Sequence, residues 1–141
     1  MVKDKINGFI EKSFAKSIIE LKLLSDRISE GIGEGAGVFT VKYQILYLIA
    51  ANDKISPQEL ICELNMAKSN LAIMAKKLIA EGLIIRTKEL YNKKQIFYSI
   101  TEKGLKELSV KMEAIENLYG DNSKEMLKHL SKTVESLKKV K

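Results

Sequence analysis

The side chains best placed to do chemistry in this chain are cationic. Lys68, Lys76 and Lys77 fall on one amphipathic stretch, with Ser69, Asn70 and Ile73 on the same side of it. Arg86, Lys88, Lys93 and Lys94 follow in the next polar segment, with Asn92 among them. Residues 66–106 hold nine Lys/Arg against three Asp/Glu, a balance of +6 that equals the net charge of the whole chain. Clustered ammonium and guanidinium groups neutralise a polyanion, and amides and hydroxyls among them add hydrogen-bonding selectivity. Covalent chemistry has no comparable support. No nucleophile–base pair or paired carboxylates emerge, so no catalytic residue is assigned and no enzyme is expected. The chain has one cysteine, Cys62, and one histidine, His129. One of each cannot build a zinc site, so neither metal nor cofactor is expected.

The elements around these residues are consistent with a single mainly α-helical domain spanning 1–141. A composition of 45% hydrophobic residues supports a core, and a lone cysteine excludes an intrachain disulfide. The N-terminus lacks a continuous apolar region, and the longest apolar run, residues 45–51, is far short of the ~20 residues of a membrane span. A cytoplasmic protein without membrane contact is expected. Residues 3–30 read as one long helix with a broad apolar stripe that includes Ile6, Ile10, Phe14, Ile18, Leu21, Leu24 and Ile28. The glycines of residues 31–37 end it as a flexible connector; their spacing is not that of a phosphate loop.

Thr40 can cap a helix reaching about Asn52. Ser56-Pro57-Gln58-Glu59 then reads as a capping box with proline at the first helical position. The short helix it opens buries Leu60, Ile61 and Leu64 and ends near Asn65. A further helix, about Lys68 to Ala80, has Leu71, Met74, Ala75 and Leu78 on its inner stripe. Two short helices with a three- or four-residue turn, the second basic outside, match a helix-turn-helix. An outward Ile73 is more than an inert solvated face needs. Gly82 stops that helix, and residues 83–85 and 96–100 read as strands flanking a polar, basic segment over 87–94. A β-hairpin directly after a helix-turn-helix is a wing. Thr101 caps the next helix, with Leu105, Leu108, Met112, Ile115 and Leu118. Gly120 and Asp121 break it, and a last helix repeats Met126, Leu127, Leu130, Val134, Leu137 and Val140.

In this order and spacing the chain resembles the MarR family of winged-helix transcriptional regulators over nearly its whole length. The text that carries the resemblance is ISPQELICELNMAKSNLAIMAKKLIAEGLIIR, followed by YNKKQIFYSITEKG. The resemblance implies a winged helix-turn-helix over 40–100, with its wing at about 83–100, and dimerisation helices over 3–30 and 101–140. It implies a homodimer bound to duplex DNA at a pseudo-palindromic operator with half-sites ~34–36 Å apart. It implies a regulator, a repressor in the first instance. Lys68, Lys76, Lys77, Lys88, Lys93 and Lys94 are assigned mainly to phosphates, and Ser69, Asn70 and Ile73 to base edges. The Ser56 helix start can present amides to a phosphate.

Two positions depart from the family pattern. Its wing tip usually reads Asp-Arg-Arg, where this chain has Asn92-Lys93-Lys94. The family's ion pair between that aspartate and the arginine corresponding to Arg86 would become, at best, an Asn92 hydrogen bond. Lysine is a hydrated point charge less suited than arginine to a narrow minor groove, so this wing should favour phosphates over groove shape. Ile73 stands where the family often has a polar residue or arginine; isoleucine packs on a thymine methyl, which favours an A/T-rich operator. The resemblance also implies release by a small, often aromatic, anionic effector, with Phe14, Tyr43, Tyr47 and Met112 as its lining or as plain core. Two rival readings stay open: a winged helix used for protein contact, and a redox-responsive regulator acting through Cys62. Cys62, beside Ile61 and Leu64, reads as buried and therefore inert.

Overall fold

The computed structural model describes residues 8, 13–31 and 40–140. Helix α1 spans Phe14–Gly31, α2 Val41–Ala51, α3 Pro57–Leu64 and α4 Lys68–Ala80. Strands β1 (Ile84–Lys88) and β2 (Ile96–Ile100) follow, then α5 (Glu102–Tyr119), a 3-10 turn (Gly120–Asn122) and α6 (Ser123–Lys138). The mainly helical architecture with one antiparallel hairpin is the one expected.

The first helix differs from the expected span. Ser13 lies outside it, and the Ser13 hydroxyl accepts a bond from the Ala15 amide at 3.1 Å, so α1 starts at Phe14. A serine there competes for the first-turn amides and favours a cap over helix interior. The expected apolar positions Ile6 and Ile10, the side chain of Ile28 and the connector at 32–37 lie outside the described residues.

The core is built by α2, where Ile45, Leu46 and Ile49 are fully enclosed, together with Leu60, Leu71, Ala75, Leu78, Leu83, Ile84, Tyr98 and Leu108. Every element from α2 to α5 contributes to it. By contrast, α1 and α6 present Phe14, Ile19, Leu21, Leu23, Leu24, Leu127, Leu130 and Val134 to the surface. Met112 and Leu105 on α5 are likewise exposed.

Candidate nucleic-acid interface

Local chemistry fixes the geometry of the two short helices. The Ser56 hydroxyl accepts from the Glu59 amide and the Glu59 carboxylate accepts from the Ser56 amide, both at 3.2 Å. With Pro57 next, this is a complete capping box at the start of α3. Ser56 opens the helix start whose amides are expected to meet a phosphate. Its hydroxyl and amide are engaged in the cap, Pro57 has no N–H, and the Glu59 carboxylate adds negative charge where an anion would approach.

α3 ends on Asn65 in the left-handed region (φ 49°), a conformation asparagine tolerates better than most residues. Residues 65–67 form the turn, and α4 begins at Lys68. Leu71, Ala75 and Leu78 bury one side of α4. Lys68, Ser69, Asn70, Ile73, Lys76 and Lys77 are all exposed, so the six residues assigned to this helix share its open side. Ile73 is 67% exposed, a high value for an isoleucine in a helix that buries its opposite face.

α4 ends at a Schellman turn. The Leu83 amide donates to the Leu78 carbonyl and the Gly82 amide to the Ile79 carbonyl, each at 3.0 Å, with Gly82 at φ +76°. The chain enters β1 one residue later. β1 and β2 pair from Ile84–Ile100 at the buried base to Lys88–Ile96 toward the tip, with Arg86 opposite Tyr98. Ile55, just before α3, bridges to Tyr98 through two backbone bonds of 3.1 and 2.8 Å. The wing is thereby tied to the start of the helix-turn-helix, a pairing that no local sequence signal announced. Lys54 reinforces it, lying 3.8 Å from the Glu89 carboxylate and 4.7 Å from the centre of the Phe97 ring.

Arg86, Lys88, Asn92, Lys93 and Lys94 are exposed along the wing. The expected Asn92–Arg86 bond is replaced by a local one. Asn92 Oδ1 accepts from the Lys94 amide at 3.2 Å, closing an Asx-type turn at the tip. The segment 87–94 is also less polar than expected, because it carries Leu90 and Tyr91, both exposed.

Lys42 on α2 sits 3.6 Å from both Glu81, at the end of α4, and Glu107 on α5. One oxygen of each carboxylate is buried without a hydrogen bond, so the lysine charge is what compensates them. This bracket was not anticipated; its members are far apart in sequence. Burial, then Glu107 and Glu81, holds the Tyr43 hydroxyl above its ordinary pKa of 10.0, with Lys42 pulling the other way.

The four residues expected to line an effector pocket occupy different settings among the described residues. Phe14 borders an open groove of about 370 Å³ with Lys132, Thr133, Ser136, Leu137 and Val140. Tyr43 is buried in the core, while Tyr47 and Met112 are half exposed. Cys62 corrects its expected burial: it is exposed, because α3 turns Leu60 fully inward and Cys62, two residues on, faces out. Gln58 Nε2 lies 3.8 Å from its sulfur. His129 is exposed on α6.

Residues 41–119 match the family model for a winged helix DNA-binding domain. The chain belongs to that family. The winged helix carries α2 through α5, and its fold extends to solved regulators beyond the matched segment. Wild-type MarR from E. coli in its apo form is 17% identical with a TM-score of 0.63, the match covering 86% of this chain and 96% of that one. The transcriptional regulator BldR from Sulfolobus solfataricus is 22% identical with a TM-score of 0.52, covering 95% of each chain. The overoxidized AbfR bound to DNA is 19% identical with a TM-score of 0.57, covering 97% of this chain and 99% of that one. At these identities the likeness is one of fold. No curated protein sequence matches the chain. Among the described residues, no helix is long and apolar enough to cross a membrane.

Proposed function

We propose that this winged helix protein is a sequence-specific, double-stranded DNA-binding transcriptional regulator that works as a homodimer on a pseudo-palindromic operator. The observation that carries the reading is the exposed side of α4. The helix follows a capped one after a three-residue turn and presents Lys68, Ser69, Asn70, Ile73, Lys76 and Lys77 together. A recognition helix inserted in the major groove uses such a face: lysines at its margins meet phosphates, and short polar side chains with one apolar contact meet base edges. Arg86, Lys88, Lys93 and Lys94 on the wing extend the cationic surface beside it.

The dimer reading rests on the apolar faces of α1 and α6 and on the exposed Leu105, Val110 and Met112 of α5. Large exposed apolar patches on a globular protein mark interaction sites, and a symmetric interface would cover these faces. Domain roles follow: residues 40–100 read DNA, while 3–30 and 101–140 join two copies. Repression by occupying the operator, relieved by a small aromatic or anionic effector, is the regulatory mode the fold likeness favours. The exposure of Cys62 near the reading helices supports a second mode, release on thiol oxidation.

Selection from random duplexes with the purified protein, read at two salt concentrations, tests the assignment. It should return an inverted repeat whose affinity falls steeply with salt. A salt-independent affinity, or recovery of no duplex, would sink it. Light scattering of the same protein should give twice the 15.9 kDa chain mass. Oxidant titration of the complex, with Cys62→Ser as control, separates the redox mode from effector release.

A further inference from the structure

The two most exposed large apolar side chains among the described residues are adjacent: Leu90 at 80% and Tyr91 at 93%. Neither lies on the helices whose apolar faces are assigned to the dimer. Both sit in the segment joining β1 to β2, at the far end of the hairpin from the Ile84–Ile100 pair. That segment is ordered from within. The Glu89 amide donates to the Gln95 carbonyl and the Gln95 amide to the Asn92 carbonyl, each at 2.9 Å. The Asn92 side chain accepts from Lys94, and Glu89 is anchored to Lys54. Leu90 and Tyr91 therefore stand on the crest of a turn fixed at both ends, with Lys88, Lys93 and Lys94 exposed around them.

A pair of large apolar groups held in water amid lysines is complementary to a surface that is anionic at its rim and apolar inside. The minor groove is such a surface: phosphates line its edges, and base steps open between them. We propose that Leu90 and Tyr91 form a wedge that enters the minor groove and partly unstacks one base step, while Lys88, Lys93 and Lys94 hold the flanking phosphates. Apolar wedges of this kind kink the duplex, and flexible pyrimidine–purine steps yield to them most readily. This proposal rests on the DNA-binding reading above and adds a specificity element to it. It also gives the lysines at the tip a consistent role, because groove reading passes to the apolar pair and only charge is required of positions 93 and 94.

The test uses the full chain and a duplex recovered by the selection, with 2-aminopurine placed at successive wing-proximal positions. Wild-type protein should raise the probe's fluorescence at one step per half-site, and Tyr91→Ala should abolish the rise. Affinity should fall at least about fivefold in Tyr91→Ala and further in Leu90→Ala/Tyr91→Ala, the low end of what removing one base–aromatic stack costs. The salt slope should stay at the wild-type value, because no charge is removed. Tyr91→Phe should bind and unstack as wild type does. Wild-type affinity and fluorescence in the double variant would overturn the wedge and leave DNA binding standing. So would equal losses in Tyr91→Phe and Tyr91→Ala, which would point to the hydroxyl, or binding by the double variant unchanged for DNA but lost for a protein partner. If wild-type protein recovers no duplex, the DNA reading falls and the wedge with it.

Discussion

Gly104 is where the geometry of the reading head can be tested most sharply. It lies buried in the first turn of α5, and a Cβ there would fall deep inside contact distance of the Leu83 carbonyl oxygen. The same Cβ would lie 2.9 Å from Ile100 Cγ1 and 3.0 Å from the Leu83 carbonyl carbon. Since two of these neighbours are backbone atoms at the exit of α4, they cannot rotate away. In Gly104→Ala, α5 must retreat by roughly 1 Å to restore ordinary contact. Leu83 O also accepts from the Thr101 amide and hydroxyl, both at 3.0 Å, so the retreat stretches two bonds. Overpacking costs about 1–3 kcal/mol and the weakened bonds about 1 kcal/mol more. Against this, alanine gains about 1 kcal/mol over glycine in a helix. The balance is a destabilisation of roughly 2 kcal/mol, measured as a lower urea midpoint at unchanged slope. DNA affinity should fall too, because α5 joins the wing to the helices assigned to the dimer. An unchanged or raised midpoint would mean that propensity outweighs the clash and that α5 does not approach Leu83 so closely.

Three further outcomes are expected. Lys93→Ala/Lys94→Ala should weaken all duplexes alike and flatten the salt slope by about 0.9 for each phosphate no longer neutralised, read by fluorescence anisotropy at several salt concentrations. Asn70→Ala should instead relax selection at one base pair, costing about 1–3 kcal/mol there and little on random sequence. Alkaline unfolding should carry a contribution from Tyr43. With its folded-state pKa raised, this contribution is fully present below about pH 10 and lost as pH rises through the folded value, so Tyr43→Phe should flatten that limb of the stability curve.

What the sequence made legible was local. Ser56, Pro57 and Glu59 satisfy helix-start amides within four residues of one another, and Gly82 supplies the one positive φ that ends α4, so both boundaries could be read without knowing the partners. The exposed side of α4 followed from helical period, because Leu71, Ala75 and Leu78 define the buried side and leave the rest outward. Period failed where the environment was thin. On α3 one enclosed residue, Leu60, sets the orientation, and the helix is too short for neighbours to average out an error in the side assigned to Cys62. At the wing tip, lysine density hid Leu90 and Tyr91, although their types alone set them apart from a solvated loop. Asn92 likewise satisfied the nearest amide, that of Lys94, instead of reaching back to the strand.

The interactions that stayed out of reach are long-range, and they share a physical theme. The Ile55–Tyr98 bridge and the Lys42–Glu81–Glu107 bracket each join segments that local patterning treats as independent. Together they make three links: wing to the start of α3, α2 to the end of α4, and α2 to α5. The homodimer proposed above would need those links more than any one contact with DNA, because its two α4 helices would have to arrive one duplex turn apart at once. Lys42 is the most exposed to perturbation of these links, since its removal leaves two partly enclosed carboxylates facing each other without a cation. Repulsion would then push the end of α4 away from α5, which in the proposed homodimer would change the spacing of the two α4 helices while each kept its own surface. Such a change lowers affinity for the two-fold site and spares the isolated half-site, a pattern that separates defects of alignment from defects of recognition.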